Sequence, residues 1–358
     1  MRILFILPNA LIGGAEKQTA RLIFELASKG FSPSVIFLGV GGPLIEELNG
    51  VEHYVLNLKG NMRNFRDYLK SIVYVARIFR SGNFALIHAQ LAPSITFSWI
   101  CKLVFNAKAP LICGVRGEMP RKNFFSEWCL KLALRDSDRV VFNSLSILAL
   151  HSKRFKLKKE KCSYIPNGVD TTPKNLSKGG NLDLVFIVVS NLIQYKNIET
   201  ALLAFSVAKI ENSRLVICGE GPNKMKLIEL AEQLEITDFV SFEGFAKDVS
   251  KYLERSQIAI HPSLTEGMSN AILEELSFGL PILASDIDSN REILESGTNA
   301  LFFSPKNHLQ LAQLMQFLSK NSQLRNRMKR NNLDKAKNYA WDSCTARYLE
   351  VYRSVFKG

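Results

Sequence analysis

Short apolar runs alternate with helical segments along this chain, and they do so in two successive sets. The first set reads RILFILP, SVIFLGV, ALIHAQ, LICGVR and RVVFNS; the second reads DLVFIVVS, RLVICG, VSFEG, IAIHPS and PILAS. Continuous apolar strands separated by helices of ten or more residues build parallel sheets, because the crossover helices cover both faces. Two sets predict two doubly wound α/β domains. A length of 358 residues is enough for two cores. The stretch TTPKNLSKGGN at 171–181 has no periodicity and almost no apolar content, so it reads as the join. The expected division is a first domain at 1–168, a linker at 169–181, a second domain at 182–340 and a final segment at 341–358.

The longest apolar stretch, LAPSITFSWICKLVF at 91–105, is shorter than a membrane span and carries Lys102, so it reads as a buried helix. The opening MRILFILPN is too short in its apolar part for a secretory leader, and none is expected. Cys101, Cys113, Cys129, Cys162, Cys218 and Cys344 form no C-x-x-C pair. Several lie inside apolar runs, which suits small buried hydrophobes in a reducing cytoplasm better than disulfides or metal ligands.

The most chemically suggestive stretch is EGMSNAILEELSFGLPILASDIDSN at 266–290. Glu266 falls in a loop and Glu274 two turns into the helix that follows. The free backbone N–H groups of Gly267, Met268, Ser269 and Asn270 open that helix, and the helix dipole makes them an anion site. A diphosphate on the amides, with a carboxylate on either side for sugar hydroxyls, is the chemistry of a nucleotide-sugar. His88 and His261 end apolar strands, where open α/β sheets place ligands. Neither Gly13-Gly14 nor Gly219-x-Gly221 completes a G-x-G-x-x-G fingerprint, which counts against a nicotinamide or flavin enzyme.

Charge is divided unevenly. Residues 1–165 hold 24 Lys and Arg against 11 Asp and Glu, a net of +13, while residues 166–358 hold 22 against 22. The basic half calls for an acidic partner, such as an anionic membrane or a phosphate-bearing lipid acceptor. No nucleic-acid-binding signature accompanies the charge, so no nucleic-acid partner is expected. Basic residues mix with aromatic ones at 61–80, with Phe65, Leu69, Ile72 and Phe79 among Arg63, Arg66, Lys70, Arg77 and Arg80. They do so again at 120–135, with Phe124, Phe125 and Trp128. Such mixing fits either an interfacial helix or an amphipathic helix packed inward.

The E-x7-E pair, the following GLPILAS and REIL, and IGGAEK at 12–17, SYIPNGVD at 163–170, LVICGEGP at 215–222 and FEGF at 242–245 stand in an order that resembles the retaining GT-B glycosyltransferases of "glycosyl transferases group 1" (GT4). The resemblance covers nearly the whole chain. It implies α/β architecture of the GT-B class, two Rossmann-like doubly wound domains facing across a cleft, with residues 341–358 returning to the first domain. It implies transfer of a sugar, with retention, from a UDP- or GDP-linked donor to a hydroxyl of a glycan or polyprenyl-phosphate-linked acceptor. The setting is bacterial surface-polysaccharide synthesis, in the cytoplasm and peripheral on the inner face of the plasma membrane. Lys196 falls at the family's diphosphate lysine, while Asn191 stands where an arginine is usual; an amide donates a hydrogen bond but no charge. Arg116 is a candidate replacement for that charge, and Lys196, Glu266, Arg116 and His88 are the candidate catalytic residues. Gly13, Gly14 and Gly219 would approach the donor, Gly244 and Phe245 would frame its base, Glu266 the sugar and Glu274 the ribose. Neither a metal nor a cofactor is implied. A non-catalytic nucleotide-sugar binder and a GT-B epimerase or phosphorylase are the alternatives.

Overall fold

The computed structural model describes residues 1–11, 13–58, 65–117, 119, 123–171, 184–246 and 248–356. From residue 172 onward, the expected linker at 169–181 lies outside them, as do Arg63, Arg121 and Lys122. The chain divides into two compact units: unit 1 is Met1–Gly168 with Trp341–Gly358, and unit 2 is Val169–Ala340.

In unit 1 the strands are β1 (Arg2–Leu7), β2 (Ser32–Phe37), β3 (Glu52–Val55), β4 (Leu86–Gln90), β5 (Leu111–Val115), β6 (Arg139–Phe142) and β7 (Cys162–Tyr164). Its helices begin with α1 (Gly14–Ser28), α2 (Leu44–Glu47) and α3 (Phe65–Ser81), and continue with α4 (Leu91–Phe105), α5 (Phe124–Asp136) and α6 (Leu145–Phe155). Unit 2 holds β8 (Leu184–Val189), β9 (Ser213–Cys218), β10 (Val240–Gly244), β11 (Ile258–His261), β12 (Ile282–Ser285) and β13 (Ala300–Phe303). Its helices are α7 (Ile198–Ala208), α8 (Lys224–Gln233), α9 (Ser250–Leu253), α10 (Asn270–Ser277), α11 (Asp288–Arg291), α12 (His308–Lys320) and α13 (Ser322–Lys337). α14 (Trp341–Ser354) follows and belongs to unit 1.

Among the described residues, unit 1 has seven parallel strands in the order β3-β2-β1-β4-β5-β6-β7, and unit 2 has six in the order β10-β9-β8-β11-β12-β13. β1 shows why both faces are apolar. Ile3, Phe5 and Leu7 enter one core with Leu22, Ile23 and Leu26 of α1 and Tyr348 and Tyr352 of α14. Leu4 and Ile6, pointing the other way, enter a second core with Ile72, Ile95 and Leu134. Unit 2 repeats the arrangement. Phe186 and Val188 pack with α7 and α12 residues, and Ile187 packs beside Ile272 and Leu276 of α10. α14 is fixed to unit 1 by close fit: a Cβ on Gly168 would lie 2.5 Å from the Trp341 ring.

The apolar stretch at 91–105 is α4, with Ile95, Phe97 and Cys101 buried and Leu103 and Val104 exposed. Ile72 of α3 is buried and Phe79 half-buried, so the interfacial reading of those two residues does not hold. The exposed stripe of α3 is instead Leu69, Lys70, Val73, Tyr74 and Arg77. On α5, Phe124 is 87 % exposed, Phe125 68 % and Trp128 49 %.

Candidate active site

Open α/β sheets bind ligands outside the carboxyl ends of their strands, at the point where the strand order turns back. In unit 2 that point lies between β8 and β11. After β8 the chain makes one tight turn, Gln194–Lys196, and Asn197 follows it in the left-handed region at φ 56°. Asparagine tolerates this conformation. The Asn197 amide donates to Pro262 O at 3.1 Å and its oxygen accepts from Thr200 Oγ1 at 3.0 Å, so the turn is tied to the loop after β11.

That tie brings three side chains onto one oxygen of a fourth, Glu266. Lys196 Nζ is ion-paired with Glu266 Oε1, and Ser263 Oγ donates to the same atom at 2.8 Å. His261 Nε2 stands 3.3 Å from it, without hydrogen-bond alignment. Both members of the ion pair are largely buried, with side chains 15 % and 10 % exposed. Burial alone would push the Glu266 carboxyl upward. The His261 ring and the Lys196 ammonium outweigh it and hold the group well below the usual carboxylate range. Sequence reasoning had given Lys196 and Glu266 separate partners on a ligand; here they satisfy each other across 70 residues of chain.

The α10 start follows directly. Ser269 is its N-cap, accepting from Ile272 N at 3.3 Å, and its hydroxyl is committed to that role. The Met268 side chain is buried in the core, which leaves only its backbone toward a ligand. Gly267 and Asn270 are half-buried at the rim. Glu274 is half-buried on α10. Its neighbour Glu275 is fully buried with neither carboxyl oxygen partnered. Burial, then the charge of Glu274, raises its pKa well above the ordinary value.

The neighbouring strand ends close in on this edge. A Cβ on Gly219 would lie 1.8 Å from Ser190 O, and Gly219 N donates to Gly244 O at 2.8 Å, so the ends of β8, β9 and β10 are in backbone contact. Gly244 has φ 71° and turns the chain to Phe245, which is 56 % exposed. Asn191 is exposed at the same edge. A hollow of about 730 Å³ opens at the opposite edge of this sheet, lined by Leu184, Asn212, Gln257 and Arg325, and contains none of these groups.

In unit 1 the turning point lies between β1 and β4. His88 lies there but is fully buried. Its Nδ1 pairs with Tyr352 OH at 2.8 Å and its Nε2 with Gln90 Nε2 at 3.1 Å. Burial, with the Arg116 charge, lowers its pKa to about 3. The expectation of a catalytic His88 is therefore corrected: a neutral ring with both nitrogens engaged inside the protein supports its neighbours and does not touch substrate. Arg116 is held by Asn167 Oδ1 at 2.6 Å, Gln90 Oε1 at 3.3 Å and Tyr348 OH at 3.3 Å. Gly13 precedes α1, and a Cβ there would lie 2.5 Å from Glu16 Oε2, so the Glu16 carboxylate folds back over the glycine. Gly14 is exposed. Glu16, Gln90, Asn167, Ser263, Glu275 and the two α14 tyrosines had no assigned role at the sequence level. The one local signal was Gly13 three residues before Glu16.

Among the described residues no three His, Cys, Asp or Glu side chains are grouped to hold a metal ion, and no helix is long and apolar enough to cross a membrane. All six cysteines are free.

Two Rossmann-like units of this kind, with a cation, a carboxylate and a helix start at one turning point, define the GT-B class of glycosyltransferase folds. The profile "Glycosyltransferase Family 4" matches residues 12–173 and "Glycosyl transferases group 1" matches residues 174–335, and the chain belongs to this family of glycosyltransferases. An uncharacterized glycosyltransferase of Haemophilus influenzae is 25 % identical, with 98 % of each chain covered. The N-acetylgalactosamine-N,N'-diacetylbacillosaminyl-diphospho-undecaprenol 4-alpha-N-acetylgalactosaminyltransferase of Campylobacter jejuni is 26 % identical over 65 % of this chain and 67 % of that one. In fold, the chain is similar to a Rickettsia africae glycosyltransferase, with a TM-score of 0.86, 20 % identity and 100 % and 99 % of the two chains covered. It is also similar to HepE of Anabaena in complex with UDP, with a TM-score of 0.83, 18 % identity and 99 % and 100 % coverage.

Proposed function

We propose that this chain is a retaining glycosyltransferase that moves a hexose-type sugar from a UDP- or GDP-linked donor, UDP first, to a hydroxyl of a lipid-linked glycan acceptor in bacterial surface-polysaccharide synthesis. The observation that carries the reading is the Lys196–Glu266–Ser263–His261 cluster, set at the turning point of unit 2 beside the start of α10. A donor diphosphate arriving there competes for Lys196. Its negative charge draws the ammonium away from Glu266, and the freed carboxylate accepts hydrogen bonds from the sugar. Charge on the leaving diphosphate grows in the transition state, so Lys196 and the amides of residues 267–270 act mainly on that state. Glu274 is assigned to the ribose, Gly244 and Phe245 to the base, and Asn191 to an uncharged phosphate contact. The uridine donor is supported by the UDP and UDP-glucose held by HepE, and the lipid-linked acceptor by the name of the Campylobacter relative.

Unit 1 is assigned to the acceptor and to an anionic membrane surface, which it contacts peripherally on the cytoplasmic face. Support comes from its basic surplus and from the exposed Phe124, Phe125 and Trp128.

A thermal-shift panel of UDP-, GDP- and ADP-sugars tests the donor, since binding at 100 times Kd adds about 2.7 kcal/mol. If no member shifts the transition, the nucleotide-sugar reading fails. Binding without hydrolysis or transfer leaves a non-catalytic binder. An inverted anomeric configuration in the product would remove the retaining assignment. Sedimentation of the full chain with anionic but not neutral vesicles, reversed by salt, is the expected membrane result.

A further inference from the structure

Arg116 and Glu16 sit at the other turning point. Arg116 follows β5 and Glu16 follows β1, both at the carboxyl edge of the unit 1 sheet, where a doubly wound domain binds its ligand. Their surroundings are unusual in charge. Arg116 is half-buried and held by three neutral acceptors, from β4, from the loop before Gly168 and from α14. Among the described residues no carboxylate lies within 4.0 Å of it. Glu16 feels the Arg116 charge without pairing with it, and partial burial raises its pKa against that charge. The amides behind Arg116 end on Asn143, which donates to Asn167 Oδ1 at 3.3 Å and whose own buried Oδ1 has no partner. The guanidinium is also fixed in orientation. Gln90 is backed by His88 and His88 by Tyr352, so β4 and α14 together aim it.

A half-buried guanidinium that no carboxylate among the described residues compensates is a prepared anion site, and the fork of Arg fits phosphate. A carboxylate near it, but not neutralising it, supplies an acceptor for a hydroxyl on the same ligand. We propose that Glu16 and Arg116 form the acceptor subsite: Arg116 takes a phosphate of a lipid diphosphate and Glu16 takes a hydroxyl of the sugar attached to it. Gly13 is glycine because Glu16 must fold across it, and His88 is a positioning residue acting through Gln90. This assignment rests on the glycosyltransferase reading above.

The test is equilibrium binding to the full chain of four probes: farnesyl diphosphate, farnesyl-diphospho-N-acetylglucosamine, farnesol and inorganic pyrophosphate. Both lipid diphosphates should bind more tightly than farnesol or pyrophosphate, and the sugar-bearing one most tightly. Arg116→Gln should weaken both lipid diphosphates by about tenfold or more. Glu16→Gln and Gly13→Ala should each erase the advantage of the sugar-bearing probe, and neither should weaken farnesyl diphosphate. His88→Leu should produce a smaller loss on both, restored in part by His88→Gln. Lys196→Ala should change none of these values, and saturating UDP should not compete. Equal binding of farnesol and farnesyl diphosphate, no binding of either diphosphate, wild-type affinity in Arg116→Gln, or dependence on Lys196 would each overturn the assignment. A protein that binds these probes as described but shifts with no nucleotide-sugar would sink the glycosyltransferase reading and leave the subsite standing.

Discussion

The two turning points handle charge in opposite ways. In unit 2 the cation is spoken for: Lys196 is paired with Glu266, and Ser263 and His261 converge on the same oxygen. In unit 1 the cation Arg116 is held by three neutral acceptors, and among the described residues no carboxylate pairs with it. The same contrast runs through the sequence, where the whole surplus of +13 falls in residues 1–165. A self-neutralised site is stable when empty and must exchange partners on binding, which ties ligand arrival to a rearrangement. An uncompensated site is strained when empty and needs only an anion of the right shape.

The strongest way to break this comparison is Lys196→Ala. Transfer should fall by about 10²-fold or more, because the leaving group loses its cation. Stability should also fall by about 3 kcal/mol, because Glu266 is left buried and unpaired. The double variant Lys196→Met with Glu266→Gln should regain stability in urea titrations and recover no activity. If the single variant unfolds like wild type, the pair is not what holds the empty site.

Acid titration sharpens the comparison. The His88 pKa drops from 6.5 to about 3 in the folded state, so the unfolded chain binds the extra proton. Stability is then full above pH 6.5 and lost as pH falls toward 3, by about 3 kcal/mol at pH 4.5. Glu266 is also depressed, but its window opens lower: its contribution is complete above its unfolded value of 4.5 and lost below it. Urea titrations should show the slope between pH 6.5 and 4.5 flattened in His88→Gln and unchanged in Glu266→Gln.

Glu275 should behave in the reverse sense. Its pKa is raised, so the folded state holds the proton longer and stability falls as pH rises above 4.5. Glu275→Leu should raise stability at pH 8 by about 1–3 kcal/mol and change little at pH 4. A destabilised variant at pH 8 would mean that the carboxyl has a partner in solution. The smallest effect belongs to Asn191→Arg, which adds a charge at an exposed rim position. A change in kcat/KM within about tenfold is expected, worth about 1.4 kcal/mol, measured with saturating acceptor.

Much of this was readable along the chain because it is local. The alternation of apolar runs gave both sheets and the end-to-end extent of α4, since burial on both faces leaves its mark on consecutive residues. β3 and β7 were missed because EHYV and CSY are too short or too polar to stand out from a loop. The loop and helix at 266–277 were legible from the Gly-Met-Ser-Asn run between the two glutamates. The pairing of Lys196 with Glu266 was not, because nothing in either segment reveals that Asn197 ties them together. His88 was placed at the right strand end and given the wrong task, since its burial depends on Tyr352, 264 residues further on. Glu275 drew no reading of its own. Only the packing of α10 on the sheet distinguishes it from Glu274.

The position of α14 sets a timetable for the making of this protein. Unit 1 is begun first and completed last: the 172 residues from Val169 to Ala340 must emerge before Trp341 can settle on Gly168 and Tyr352 can reach His88. At about 5–20 residues per second that wait is on the order of 10–30 s. Until it ends, the ribosome holds a seven-stranded sheet whose Phe5 and Leu7 face is covered by α1 but not yet by α14. The second unit, encoded in one run, has no such delay. A chain released after unit 2 is made but before α14 keeps the Lys196 cluster whole and leaves Arg116 unaimed.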